Sequence, residues 1–230
     1  MIINVLTYTI PHRKTYDILC LLKASGYDYV SVYAVPLQYK KSFMPLYIHR
    51  PEMNYDIDTK EICQNFNYKY KQISNYNDIR IDRNEIVLVG GAGILPEEFV
   101  RTHKVINSHP GYIPNVRGLD AYKWAIVEKQ PIGVSVHLLG EEVDAGKVLM
   151  REEIPIYSTD TFFSVAQRVY EYEVRNMISA IPLAEREEYQ YIPAGTSKVH
   201  KRMPKEVEKS ILEEFETYKR KEEQRWNFEI

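Results

Sequence analysis

The first 35 residues do most to limit the fold. Ile2 to Tyr8 is a short apolar run with the length of a buried strand. Thr9 to Lys14 reads as a turn. Thr15 to Ser25 then carries Ile18, Leu19, Leu21 and Leu22 at helical spacing, with Gly26 as a stop. Tyr29 to Val35 is β-branched and aromatic, as strands are. A strand, a helix and a strand in such short order favour a parallel sheet, with the helix crossing one face.

The alternation continues. Asp58 or Thr59 can cap a short helix through Asn65, and Tyr68 to Gln72 makes a marginal strand. Glu85 to Val89 and Lys104 to Ser108 are short apolar strands. Between them Pro96 opens a helix through Phe99 and Val100. Leu119 to Val127 is amphipathic, Pro131 to Leu139 alternates, and Lys147 to Ile156 is a further strand. Thr159 or Asp160 caps a long helix to about Ile181 that turns Phe163, Val165, Ala166, Val169, Tyr170, Val174, Met177 and Ile178 inward. The expected fold is therefore α/β, a mostly parallel sheet flanked by helices. After Pro182 the chain becomes strongly charged. Residues 183–230 read as a short C-terminal helical extension of a 1–182 domain, and Ile211, Leu212, Phe215 and Trp226 must be buried on the core or on a second subunit.

Composition excludes several classes. Thirty Lys and Arg against 32 Asp and Glu leave a net charge of -2, so no basic excess is available to hold nucleic acid. Cys20 and Cys63 form no metal motif and no disulfide framework, which fits a reduced, cytoplasmic setting. The start of the chain lacks the basic flank of a signal sequence, and no apolar run approaches membrane-spanning length. No His, Cys and carboxylate spacing suggests a metal.

The chemistry gathers where Val105-Ile106 runs into Asn107-Ser108-His109-Pro110-Gly111. This is a buried strand ending in a polar turn, and open α/β sheets bind ligands beyond the carboxyl ends of their strands. Asn107 and His109, two apart, point to the same face, while Ser108 points away. With Asp144 from a later acidic loop they make an Asn-His-Asp set without a nucleophile. Such a set suits an amine attacking a carbonyl: amide and imidazole N–H groups can hold an oxyanion, the imidazole can take a proton, and the carboxylate can orient it. Taken singly, His109 reads as readily as a structural turn residue and Asp144 as a turn former. His137 reads as a core histidine, and His103 and His200 as surface residues.

Two other stretches bear on ligands. Gly90-Gly91-Ala92-Gly93 ends a strand and lets a ligand approach the main chain, and Leu95 adds an apolar wall. The first turn carries His12, Arg13 and Lys14 before a helix instead of a glycine-rich loop. It is either a phosphate site or a solvated basic turn. Pro36 to Asn54 is either a loop over a ligand cleft or a long connection.

Asn107-Ser108-His109-Pro110, Pro114, Arg117-Gly118, Gly133-Val134-Ser135-Val136-His137 and Val143-Asp144-Ala145-Gly146, in this order, resemble the folate-dependent formyltransferases. That resemblance implies a Rossmann-like domain, with Asn107, His109 and Asp144 as the catalytic set. It places the pterin of N10-formyltetrahydrofolate against Gly90, Gly91, Ala92, Gly93 and Leu95, with the loop of Glu141 and Val143 closing over it. The acceptor would be a primary amine, and no metal is expected. The first turn lacks the glycines of the ribonucleotide enzyme, and the chain is too short and not basic enough for the tRNA enzyme. Gly118-Leu119-Asp120 with Trp124-Ala125-Ile126 is similar to the sugar N-formyltransferases. The implied acceptor is an amino sugar on a nucleoside diphosphate, of the dTDP-amino-dideoxyhexose type. His12, Arg13, Lys14, Arg117 and Trp124 are candidate contacts, and tyrosines could stack on the base. The apolar faces of the C-terminal segment would suit a homodimer, and the resemblance implies a product serving surface polysaccharides such as lipopolysaccharide O-antigen. The alternatives are glycinamide ribonucleotide transformylase, a formylfolate hydrolase, or a non-catalytic folate or nucleotide-binding module.

Overall fold

The computed structural model describes residues 1–37, 44–53, 56–83, 85–140 and 143–226, with side chains as far as Glu222. The chain runs β1 (Ile3–Tyr8), α1 (Arg13–Ala24), β2 (Val30–Val35), α2 (Thr59–Phe66), β3 (Lys69–Gln72), β4 (Ile86–Val89), α3 (Glu97–Thr102) and β5 (Lys104–His109). It continues through β6 (Arg117–Gly118), α4 (Ala121–Val127), β7 (Gly133–Leu138), β8 (Gly146–Glu153) and α5 (Phe162–Ser179). Then come α6 (Ile181–Glu185), β9 (Gln190–Ile192), β10 (Val199–His200), α7 (Lys205–Glu208) and α8 (Ile211–Trp226).

Eight strands form one sheet in the order β3-β2-β1-β4-β5-β7-β8-β9. The pairs from β3 to β5 are parallel, and β5-β7, β7-β8 and β8-β9 are antiparallel. This is a Rossmann-like, mostly parallel sheet with an antiparallel wing. Parallel strands buried on both faces read as continuous apolar runs, and β1 and β4 do so. α1, α2 and α5 cover one face through Ile18, Leu19, Leu22, Ile62, Val174 and Met177. On the other face Phe99 of α3 packs on Leu6, Val87 and Val105. β5 sits where parallel pairing gives way to antiparallel, so its carboxyl end lies at a change of strand direction.

The segment after residue 182 is not purely helical. Gln190–Ile192 extends the main sheet, and Val199–His200 pairs with Arg117–Gly118. Ile211, Phe215 and Tyr218 of α8 are buried with Tyr122, Ala125 and Ile126 of α4, so this tail packs on the core of its own chain. Trp226 lies outside the described side chains.

Several expectations shift by part of a helical turn. His12 is the N-cap of α1, so Arg13 and Lys14 stand inside its first turn, and Leu21 is partly exposed. Thr161, not residue 159 or 160, caps α5 in a reciprocal box with Ser164. That register turns Phe162 inward and leaves Phe163 outside. Leu119 precedes α4 and is exposed. His200 is buried, not on the surface, because the β6-β10 pairing stacks it on Trp124, with ring centroids 4.5 Å apart, and within 3.1 Å of Glu128.

Candidate active site

The sheet brings Asn107, His109 and Asp144 together. β5 carries the first two, and the loop between β7 and β8 carries Asp144 with φ +46°. The Asp144 carboxylate accepts from the Gly118 amide at 2.8 Å. Its Oδ2 lies 3.5 Å from His109 Nδ1, and its Oδ1 lies 3.5 Å from His137 Nε2. His137, opposite Asn107 in the β5-β7 register, is fully buried. It is therefore the fourth member of this cluster, which its alternating apolar strand concealed. Asn107 Nδ2 lies 3.4 Å from His137 Nε2. A single ring nitrogen cannot both donate to Asp144 and accept from Asn107. The Asn107 amide carries two hydrogens and His137 Nε2 can accept only one of them, so in either tautomer at least one Asn107 N–H is left for another acceptor.

The His109 ring is held by its own turn. Nε2 donates to the Val116 carbonyl at 3.0 Å, which leaves the Nδ1 lone pair facing Asp144 in the neutral form. Gly111 makes room for the ring: a Cβ there would come 2.5 Å from His109 Nε2. Burial lowers the His109 pKa, and the facing Asp144 charge only partly opposes this, so the imidazole is neutral at pH 7. Burial works against the Asp144 carboxylate, but His109, the His137 hydrogen bond and the Gly118 amide together hold its pKa down to about 2. A bare base thus faces a fixed anion.

A groove of about 1000 Å³ opens on the α3 face. Leu95, Val100, Leu138, Leu139, Gly140 and Ala145 are among its walls, and Ala145 directly follows Asp144. Leu95 thus lies where a flat apolar ligand could rest. Gly90 and Gly91 do not line it. Cβ atoms there would meet Leu6, Thr15 and the Tyr8 ring, so these glycines serve the packing of β1 and α1. Gly93 donates to the Tyr76 hydroxyl at 2.8 Å, and Ala92 is partly buried beside it. Val143 is exposed, while Glu141 lies outside the described residues.

The cationic candidates separate. Arg13 pairs with Asp17 at 2.7 Å. Lys14 is largely buried, 3.0 Å from Glu173 and 3.4 Å from the Ser108 carbonyl. His12 lies 3.0 Å from Thr15, and burial together with Lys14 and Arg50 lowers its pKa to about 4. Arg117 is buried, with its guanidinium donating to the Val143 and Ser197 carbonyls, so it braces the Asp144 loop. Trp124 donates to the Lys201 carbonyl and stacks on His200. Two further groups, His49 and Arg50, stand on the α5 side, where Arg50 reaches Glu173 at 2.7 Å. They come from a stretch with no periodicity, which sequence reasoning could not place.

A family described as formyl transferase matches residues 48–181. The chain belongs to the formyl transferase family. A curated phosphoribosylglycinamide formyltransferase of Dictyostelium discoideum is 33% identical over 125 residues, 49% of this chain and 59% of that protein. Aligned stretches span from 10% to 59% of the curated formyl transferases and purine-synthesis proteins first matched. Solved structures share the fold. A sugar N-formyltransferase from Shewanella superimposes with TM-score 0.60 at 19% identity, over 87% of this chain and 76% of that one. The Helicobacter canadensis N-formyltransferase complexed with folinic acid and dTDP-3-aminofucose gives 0.61 at 16% identity, over 88% and 71%. Among the described residues no helix is long and apolar enough to cross a membrane.

Proposed function

We propose that this formyl transferase moves a formyl group from N10-formyltetrahydrofolate to the primary amine of a nucleotide-linked amino sugar, with Asn107, His109 and Asp144 as its catalytic residues. The observation that carries the chemistry is the neutral, buried His109 imidazole facing an ionised Asp144 beside an available amide. The amine attacks the formyl carbon, and the carbonyl oxygen becomes an oxyanion that accepts from the Asn107 amide. His109 Nδ1 takes the proton the amine loses, and Asp144 balances the resulting charge. The C–N10 bond then breaks, N10 regains a proton, and the products are a formamide and tetrahydrofolate. The pterin is assigned to the groove beside Leu95, Leu139 and Ala145.

The sugar reading rests on the first turn. Tyr8 and His12, edge to face at 5.5 Å, fill that turn with side chains where a ribonucleotide phosphate would need bare main chain. The second reading, glycinamide ribonucleotide, is favoured by the relatives at 33–35% identity. Purified protein, N10-formyltetrahydrofolate and a panel of dTDP-, UDP- and GDP-linked amino sugars, with glycinamide ribonucleotide as comparator, decide between them. Formylation of the ribonucleotide alone rejects the sugar. Formylation of neither rejects the enzyme.

A further inference from the structure

The stretch from 44 to 50 has neither helix nor strand, and its apolar side chains Met44, Leu46 and Ile48 are exposed. Tyr47 is the exception, packing 6.5 Å from the Phe162 ring, and His49 lies 5.9 Å from the Tyr122 ring. A polar clamp holds the main chain between them. Glu208 of α7, fully buried, accepts from the Leu46 amide at 2.9 Å and the Tyr47 amide at 3.2 Å. It also pairs with Lys123 of α4, which is fully buried and donates to the Tyr47 carbonyl at 2.9 Å. A buried ion pair is poor evidence of stability, because desolvation offsets much of its attraction and apolar replacements are often as stable. Three bonds to the main chain of a segment without helix or strand point to a positioning role.

What the clamp positions lies beside the reaction centre. His49 and Arg50, with Pro110, Tyr122, Tyr170 and Glu173, line an open pocket of about 10 Å³, the size of one water. Pro110 directly follows His109. Arg50 binds Glu173, Glu173 binds Lys14, and Lys14 reaches the carbonyl of Ser108, between Asn107 and His109. The pterin groove opens on the opposite, α3 face. We infer that residues 46–50 form the acceptor-side wall of the site, presenting Arg50 to the diphosphate of an anionic amine, and that Glu208 and Lys123 are positioning residues that set this wall. The C-terminal extension is thereby part of the site. The inference rests on the assignment of Asn107, His109 and Asp144 as the reaction centre.

Two variants test it: Glu208→Gln, and the double Glu208→Met, Lys123→Met, which removes both charges and leaves neither orphaned. In both, amide exchange at Leu46 and Tyr47 should speed up. The KM of the amino sugar formylated by wild type should rise at least about tenfold, as for loss of one hydrogen bond to a charged group. The kcat and the KM for N10-formyltetrahydrofolate should stay within about twofold. Arg50→Lys should raise the acceptor KM without altering amide exchange. An unchanged acceptor KM in a folded double variant overturns the inference, as do parallel losses in kcat and donor KM. If wild type formylates no amine, the reaction-centre assignment fails instead. Unchanged exchange at Leu46 and Tyr47 then still rejects the clamp.

Discussion

Asp144→Asn tests the electrostatic core of the site. Asparagine keeps the shape and can still accept from the Gly118 amide, so it removes charge alone. In wild type a proton on His109 Nδ1 would sit 3.5 Å from the carboxylate oxygen. At an effective dielectric of about 20, attraction at that distance is on the order of 4 kcal/mol. The proton arrives only during reaction, so this energy acts on the transition state and amounts to about three orders of magnitude in rate. Stability should change less. The Asp144 pKa falls from 3.8 to about 2 on folding, which contributes about 2 kcal/mol above pH 4, lost as pH drops through 2. The assay is tetrahydrofolate release at saturating donor and acceptor, with urea unfolding in parallel. Turnover above a tenth of wild type in a folded Asp144→Asn protein refutes the charge-balancing role.

Three further outcomes follow from the geometry. Gly111→Ala places a methyl 2.5 Å from His109 Nε2 and should lower kcat about a hundredfold through a displaced base, with the donor KM little changed in steady-state kinetics. Leu139→Arg puts a charge in the apolar end of the groove and should weaken tetrahydrofolate binding at least about tenfold by calorimetry, while circular dichroism stays native. His12 and His49 have folded pKa values near 4 and 3, below their ordinary 6.5, because burial and neighbouring cations disfavour their charged forms. The unfolded chain therefore binds more protons. Their contribution is complete above pH 6.5 and lost as pH falls through 4 and then 3, so urea midpoints should drop on acidification and drop less in His12→Gln and His49→Gln.

The parallel half of the fold was legible because buried strands write themselves as apolar runs and α1 and α5 as periodic stripes. The pairing of β9 and β10 was not, since Gln190–Ile192 and Val199–His200 are too short and polar to show a period. Asn107, His109 and Asp144 stood out as polar groups at a strand end and in a glycine-closed loop. His137 was hidden because a buried histidine on an alternating strand looks like packing. Arg117 was misleading for the opposite reason: beside a site motif a guanidinium suggests a ligand, yet this one is consumed by the Val143 and Ser197 carbonyls. His49, Arg50 and the Glu208–Lys123 pair are joined only through tertiary contacts, and no local spacing encodes them.

The hydrogen bond from His109 Nε2 to the Val116 carbonyl also constrains the order of events. With that nitrogen committed to the main chain, the imidazole cannot pass a proton from one side of its ring to the other as a relay. Whatever proton it accepts must leave from the same atom, Nδ1. In the proposed reaction the incoming amine and the departing N10 therefore visit one side of one ring in turn, and the ring regains its starting state without a flip or a change of tautomer.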